Sequence, residues 1–230
     1  MGKVIALIAA AIAVLALLWA LTPPADAAEE PVDVAIVFVM DISGSMQRDE
    51  IAFAREAHVL AITSEPMVTA IVDGAYGRVA MAYVEYADGV EVRVNWTIVD
   101  GPESAFAFAR QITALPPGHT LGNQYTMIGA GLLAADRLLS ALPYAAGKIV
   151  VDVVGDGTAS DFKAVDLGRA AILSRGATIN AMPLMLKPDN DLAGYFERYV
   201  IGGPAAFAMP VKMMSQLPQA LRSKIVLELY

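Results

Sequence analysis

Apolar positions along the chain fall into two alternating patterns: short unbroken runs, and longer stretches with helical spacing. Val34-Ala35-Ile36-Val37-Phe38-Val39-Met40 is an unbroken run rich in β-branched residues, which predicts a strand buried on both faces. From Gln47 to Ile62 the apolar residues are interrupted by few charges, as in a mostly buried helix that Pro66 should end or kink. A second apolar stretch, Met67 to Val72, leads to a turn at residues 74–77. Arg78 to Tyr86 reads as a strand. After Asp88-Gly89, the alternation of Val90, Val92, Val94 and Trp96 with Glu91, Arg93 and Asn95 predicts its hairpin partner, a half-exposed antiparallel edge. Helices are expected from Pro102 to about Leu115 and where Ile128, Leu132, Ala135 and Leu139 share a face. Lys148 to Val154 is a second buried strand. Beyond it the pattern predicts a helix over Phe162–Ser174, a strand over Thr178–Met185, a short helix over Asp191–Val200, a weak strand near Phe207 and a closing helix from Ser215 to Leu229.

Strands alternating with helices imply right-handed crossovers. The expected fold is therefore a doubly wound α/β domain over residues 32–230: a mainly parallel sheet with one antiparallel edge strand and helices on both faces. Glu29 to Asp33 reads as a short linker leading in. Before it, Lys3, the apolar run Val4–Leu21, Pro23-Pro24 and Ala25-Asp26-Ala27-Ala28 have the layout of a secretory signal peptide over residues 1–28. The competing reading is an uncleaved N-terminal anchor, since about 18 apolar residues is the lower limit for spanning a bilayer. Either way the domain is expected outside the cytoplasm, periplasmic or secreted. The leader's Lys3 and Asp26 cancel, so its removal leaves the net charge at −8. An acidic chain with no basic cluster is a poor candidate for nucleic acid or anionic lipid. The absence of cysteine excludes disulfides, a thiolate nucleophile and a cysteine-based zinc site.

The first buried strand runs straight into Asp41-Ile42-Ser43-Gly44-Ser45, placing this polar cluster at the carboxyl edge of a central sheet, where open α/β sheets keep their sites. Asp41, Ser43 and Ser45 stand at alternate positions, and Gly44 is expected to let the backbone curl so that they converge. The same residue types also suit an ordinary helix start. Two further loops reach this edge: one ends in Thr126 at the start of a helix, the other carries Asp156 after a buried strand. Two carboxylates and three hydroxyls are hard oxygen donors, enough for an octahedral Mg²⁺ with a position to spare.

Asp41-Ile42-Ser43-Gly44-Ser45, then Thr126-Met127-Ile128-Gly129-Ala130-Gly131-Leu132, then Val151-Asp152-Val153-Val154-Gly155-Asp156-Gly157, resemble the three motifs of a von Willebrand factor A (vWA) domain. The resemblance covers about residues 32–229. More narrowly, Gly77-Arg78-Val79-Ala80 and Ile201-Gly202-Gly203-Pro204 are similar to an exported bacterial group of these domains of uncharacterised function. It implies a metal-ion-dependent adhesion site (MIDAS) in which Ser43, Ser45 and Thr126 are hydroxyl ligands, and Asp41 and Asp156 act directly or through water. The ion would be Mg²⁺, or Mn²⁺ or Ca²⁺, and an Asp or Glu carboxylate of a partner protein would complete its coordination. The second motif departs from the family pattern, because Gln124-Tyr125 precede the threonine where a glycine commonly stands. Thr120 therefore competes with Thr126, which is favoured by its spacing to Gly129 and Leu132. Candidate rim groups are Met46, Gln47, Arg48, His119, Tyr125 and Thr158.

Other chemistry is weaker. Asp152 lies about 13 Å back along its strand from Asp156, too deep to share a metal, and reads as a buried acid satisfied by a backbone group or a cation. Of the two histidines, His58 reads as a core residue with one hydrogen bond and His119 as an exposed loop residue. Thr158-Ala159-Ser160-Asp161 is expected to cap the following helix. Gly-x-Ser-x-Gly is absent, as are phosphate-binding glycine loops, and position 43 is not the second acid that an aspartate-phosphorylating enzyme would want. A non-enzymatic, metal-dependent protein-binding module of the cell envelope is the expected class. A Mg²⁺-dependent hydrolase, or a scaffold with a vestigial site, are the alternatives.

Overall fold

The structure, a computed structural model, describes residues 30–187 and 191–230. The expected signal peptide or anchor lies outside the described residues. Strand β1 (Glu30–Asp41) is the centre of a five-stranded sheet and is buried at every position from Val34 onward. It starts earlier than its apolar run and absorbs the expected linker. Asp33 explains this: its N–H donates to Arg78 O at 2.9 Å, and its carboxylate accepts the Tyr76 and Arg78 amides at 2.9 and 3.2 Å.

The remaining strands are β2 (Val79–Tyr86), β3 (Val90–Val99), β4 (Tyr144–Gly155) and β5 (Thr178–Pro183), and the order across the sheet is β3-β2-β1-β4-β5. β1 and β2 run parallel from Val34 opposite Val79 to Asp41 opposite Tyr86, and β4 and β5 run parallel up to Gly155 opposite Pro183. β3 is the antiparallel edge expected from the Asp-Gly turn, with a register irregularity around Tyr83. Four strands therefore finish at one edge, and their last residues include Asp41 and Gly155.

Alternation along β1 feeds two cores. Val34, Ile36, Phe38 and Met40 pack with helices α1 (Arg48–Ile62), α2 (Glu65–Val72), α3 (Pro102–Thr113) and the C-terminal α7 (Leu217–Leu229). Val37 and Val39 pack with α4 (Ile128–Ser140), α5 (Phe162–Ser174) and α6 (Leu192–Tyr195) on the other face. Each such side chain, fully removed from water, contributes about 1.5–3 kcal/mol. This burial is what holds the end of β1 still enough to present a site.

Several boundaries differ from expectation for local reasons. Pro66 does not kink a long helix: α1 ends at Ile62, and the proline stands in the first turn of α2, where its missing N–H costs nothing. β4 begins at Tyr144, before the buried run. The strand expected near Phe207 is reduced to isolated bridges, Ala181 with Ala208 and Leu184 with Val211. The helix expected over residues 191–200 is one α-turn, α6, passing into a π-helical turn at Phe196–Val200. Among the described residues no helix is long and apolar enough to cross a membrane.

Candidate metal centre

The chain leaves β1 at Asp41, and a short loop must turn it into α1. An Asx turn does so: Ser43 N–H donates to Asp41 Oδ1 at 2.8 Å. That bond uses one carboxylate oxygen and leaves Oδ2, fully buried, with no hydrogen-bond partner. Gly44 is needed here, though not for a left-handed backbone. A Cβ at this position would lie 1.9 Å from Asn123 O, so the glycine is where the second loop presses against the first. Gly155 is a similar close approach: a Cβ there would meet Tyr86 Oη at 2.6 Å and Asp41 Oδ2 at 2.9 Å.

The five predicted site residues meet at this edge. Ser43 Oγ lies 3.1 Å from Ser45 Oγ and 3.0 Å from Thr126 Oγ1, and Ser45 Oγ donates to Asp156 Oδ1. Ser43 and Ser45 are two residues apart, Thr126 is 83 positions on from Ser43, and Asp156 is 111 on from Ser45, so three loops contribute. Asp156 is 2 % exposed and Ser43 is 1 % exposed. Burial raises the Asp41 carboxyl to about 7; hydrogen bonds from Ser43 oppose the rise, and the charge of Asp156 adds to it. A cation beside these two acids would offset both effects.

Thr120 is not part of the cluster. Its hydroxyl accepts from Arg93 Nη2, while Arg93 Nε and Arg55 clamp the buried Glu85, and Arg55 Nη1 donates to Pro116 O at 2.6 Å. This buried ion network pins the loop between α3 and α4. His119 is held too, its Nδ1 donating to Ile42 O at 2.9 Å, which ties the second loop to the first. Met46, expected at the rim, is buried in the core against β1 and α1. Gln47, Arg48, Tyr125 and Thr158 are exposed.

Sequence reasoning missed the residues that hold Thr126. Asp88, read only as a turn residue, accepts the Gln124 and Tyr125 amides at 2.7 and 2.6 Å. Ser160 Oγ accepts from Thr126 N–H at 3.1 Å, and Ser160 N–H returns a bond to Thr126 O at 2.9 Å. Asp161, expected to cap α5, instead caps α4, taking the Gly129 and Ala130 amides at 3.0 and 2.8 Å. Lys187 was also missed; its Nζ pairs with Asp156 Oδ2 at 3.2 Å.

The remaining candidates fall away from the edge. Asp152 faces the ammonium of Lys224 at 2.5 Å in a fully buried cluster with Glu228 and Asn180, as expected of a buried acid. His58 is buried between Phe38 and Tyr83, and its Nδ1 donates to Ala54 O at 2.8 Å. Burial lowers its pKa.

A family model described as "Protein of unknown function (DUF1194)" matches residues 31–230. The chain belongs to that family. Comparison with curated proteins finds no match for this DUF1194 chain. Among solved structures it is similar to a von Willebrand factor type A protein from Catenulispora acidiphila, at 17 % identity and TM-score 0.63, covering 86 % of this chain and 43 % of that one. It is similar to proximal thread matrix protein 1 of the mussel byssus, at 18 % identity and TM-score 0.64, covering 89 % of this chain and 49 % of that one. A further structure of the mussel protein has zinc in its MIDAS motif. A third likeness is the vWF domain of the pilus tip protein Mfa5 from Porphyromonas gingivalis, at 13 % identity and TM-score 0.61, covering 85 % and 94 %. The DUF1194 chain thus spans under half the length of the first two proteins and has the vWA fold.

The donor set suits a small hard cation. Adjacent oxygens of an octahedron with bonds of about 2.1 Å are about 3.0 Å apart. Ser43 Oγ stands at that spacing from both neighbouring hydroxyls. Among the described residues no group of three or more His, Cys, Asp or Glu side chains could hold a metal. The oxygens brought together at this edge are instead the hydroxyls of Ser43, Ser45 and Thr126 beside the carboxylate of Asp156.

Proposed function

We propose that this chain is an exported, non-enzymatic protein-binding module that uses a divalent cation, Mg²⁺ in the first instance, to take hold of an acidic group on a partner protein. Ser43, Ser45 and Thr126 would hold the ion by their hydroxyls, with Asp41 and Asp156 contributing carboxylates directly or through water. When bound, such an ion supplies a Lewis-acidic position that an incoming carboxylate can fill. The chain's part is to keep three hydroxyls and two acids at one edge and to leave that edge open. Ser160, Asp161 and Asp88 position Thr126, and His119 and the Arg55–Glu85–Arg93 network steady the loop before it.

The observation that carries this reading is the convergence of Ser43, Ser45, Thr126 and Asp156 beside the unpartnered Oδ2 of buried Asp41. The fold shared with proteins that include a pilus tip component and a matrix protein with a zinc-occupied MIDAS supports it. Isothermal titration of residues 31–230 with Mg²⁺ and Mn²⁺ tests it. Binding should occur at one site and be lost in Ser43→Ala and Asp156→Ala. Unchanged affinity in those variants would mean that the ion, if any, sits elsewhere. Envelope proteins retained by the immobilised domain should be released by a chelator. Mass spectrometry of the mature N-terminus tests the leader reading, with cleavage expected near Ala27 or Ala28.

A further inference from the structure

The second oxygen of Asp156 is committed to a cation supplied by the chain itself. Lys187 Nζ stands 3.2 Å from Asp156 Oδ2, with the lysine side chain 52 % exposed and the aspartate 1 %. The backbone delivers Lys187 there. Just past β5, Leu184 N–H donates to Gly155 O at 2.8 Å, Met185 N–H to Val211 O at 2.7 Å, and Leu186 N–H to Leu184 O at 2.9 Å. These bonds hold the segment against the end of β4, one residue from Asp156. The ammonium thus reaches a carboxylate whose other oxygen belongs to the Ser43–Ser45–Thr126 cluster.

We propose that Lys187 is a tethered cation that competes with the divalent ion for Asp156 and so sets the affinity of the site. The inference rests on the metal-site reading above. The physical ground is a contest between charges of different kind. A half-exposed lysine pair is worth about 0.2–1 kcal/mol, because water solvates the ammonium and its flexible stem loses entropy on pairing. A divalent ion gripped by several oxygens displaces it, and the displacement weakens ion binding by the lost pair together with the repulsion between the two cations. Lys187 is positioned to keep the site from saturating at low ion concentration.

The experiment is calorimetric titration with Mg²⁺ alone, on the full exported chain as wild type, Lys187→Met, Lys187→Arg and Ser43→Ala. Lys187→Met should bind Mg²⁺ about two- to fivefold more tightly, the upper figure being the pair energy expressed as a ratio. Lys187→Arg keeps the charge and should stay near wild type. Far-UV circular dichroism should not change in either lysine variant, and the melting temperature of Lys187→Met in chelator should fall by no more than about 4 °C, the worth of the lost pair. Wild-type binding that is lost in Ser43→Ala but equal or weaker in Lys187→Met would overturn the role of Lys187 and leave the metal site standing. A silent wild type with a binding Lys187→Met would show the competition at full strength. Silence in both would defeat the metal site and the lysine together.

Discussion

Helix α4 has no cap of its own, and this makes Asp161 the most informative single substitution. Met127 stands at its N-cap position without a side-chain bond, and the first turn holds no acid. The orphan amides of Gly129 and Ala130 are satisfied only across the interface, by the two oxygens of Asp161 at 3.0 and 2.8 Å. Losing a helix cap costs about 0.5–2 kcal/mol. Losing a negative charge at a helix N-terminus costs about 0.3–1 kcal/mol more. Asp161→Ala is therefore expected to destabilise the domain by about 2–3 kcal/mol, the upper part of the range, because both bonds go at once. For a domain of this size, about 2–4 °C accompanies each kcal/mol, so the melting temperature should fall by about 4–12 °C. Thermal denaturation followed by circular dichroism, in chelator, reads this directly. Asp161→Asn keeps one neutral acceptor and should lose about half as much. Thr126 is two residues from α4, so Mg²⁺ affinity should weaken in parallel. A shift under about 1 °C for Asp161→Ala, or an asparagine variant as damaged as the alanine one, would refute the idea that this carboxylate organises the second loop.

Gly44→Ala drives a methyl group into Asn123 O, so it should cost about 1–3 kcal/mol in a urea titration and weaken Mg²⁺ binding; a silent variant would mean the loops part freely. Glu85→Ala strands two guanidinium groups in the interior and should cost about 3–5 kcal/mol, measured the same way, with Glu85→Gln intermediate. Burial raises Glu228 from 4.5 to about 7, the charge of Asp152 adding to the rise and Lys224 opposing it. The native state then keeps a proton that the unfolded chain has already released. Its contribution to stability is full below about pH 4.5 and is lost as pH rises through about 7. Urea midpoints from pH 5 to 8 should therefore decline more steeply in wild type than in Glu228→Gln, and parallel profiles would count against it.

The fold was legible wherever one local signal dominated. β1 is apolar on both faces because both faces are covered, and its alternate residues serve the two cores. The Asp88-Gly89 turn with alternating residues marked the β2–β3 hairpin. The segments Leu192–Val200 and Phe207–Val211 were less legible because their structure is set by the elements they pack against. Single bridges replace a strand, and a π turn replaces a regular helix, so neither has a period to read.

The site divides the same way. Asp41, Ser43 and Ser45 could be read together because they are neighbours in the chain. Spacing to Gly129 and Leu132 favoured Thr126 over Thr120, but what occupies Thr120 was not readable, because Arg93 belongs to an edge strand whose alternation says only that it faces out. Asp161 was readable as a cap but not as the cap of the preceding helix, because its carboxylate reaches back across the junction to α4 rather than along its own turn. Met46 shows the converse: one residue past a polar motif, it looks like a rim group, yet the turn into α1 swings it into the core. These cases share a cause. Residue types that bind an ion and those that hold the binders in place are the same few oxygen-bearing side chains, and only the path of the backbone assigns each its task. At this edge the assignment follows burial and reach: Asp41 is sealed under the loop with one oxygen unpartnered, whereas Asp156 shares its two oxygens between a hydroxyl of the cluster and a half-exposed lysine. A change at Asp41 should therefore act on stability and ion binding together, and a change at Lys187 chiefly on ion binding, with at most the small worth of one half-exposed pair in stability.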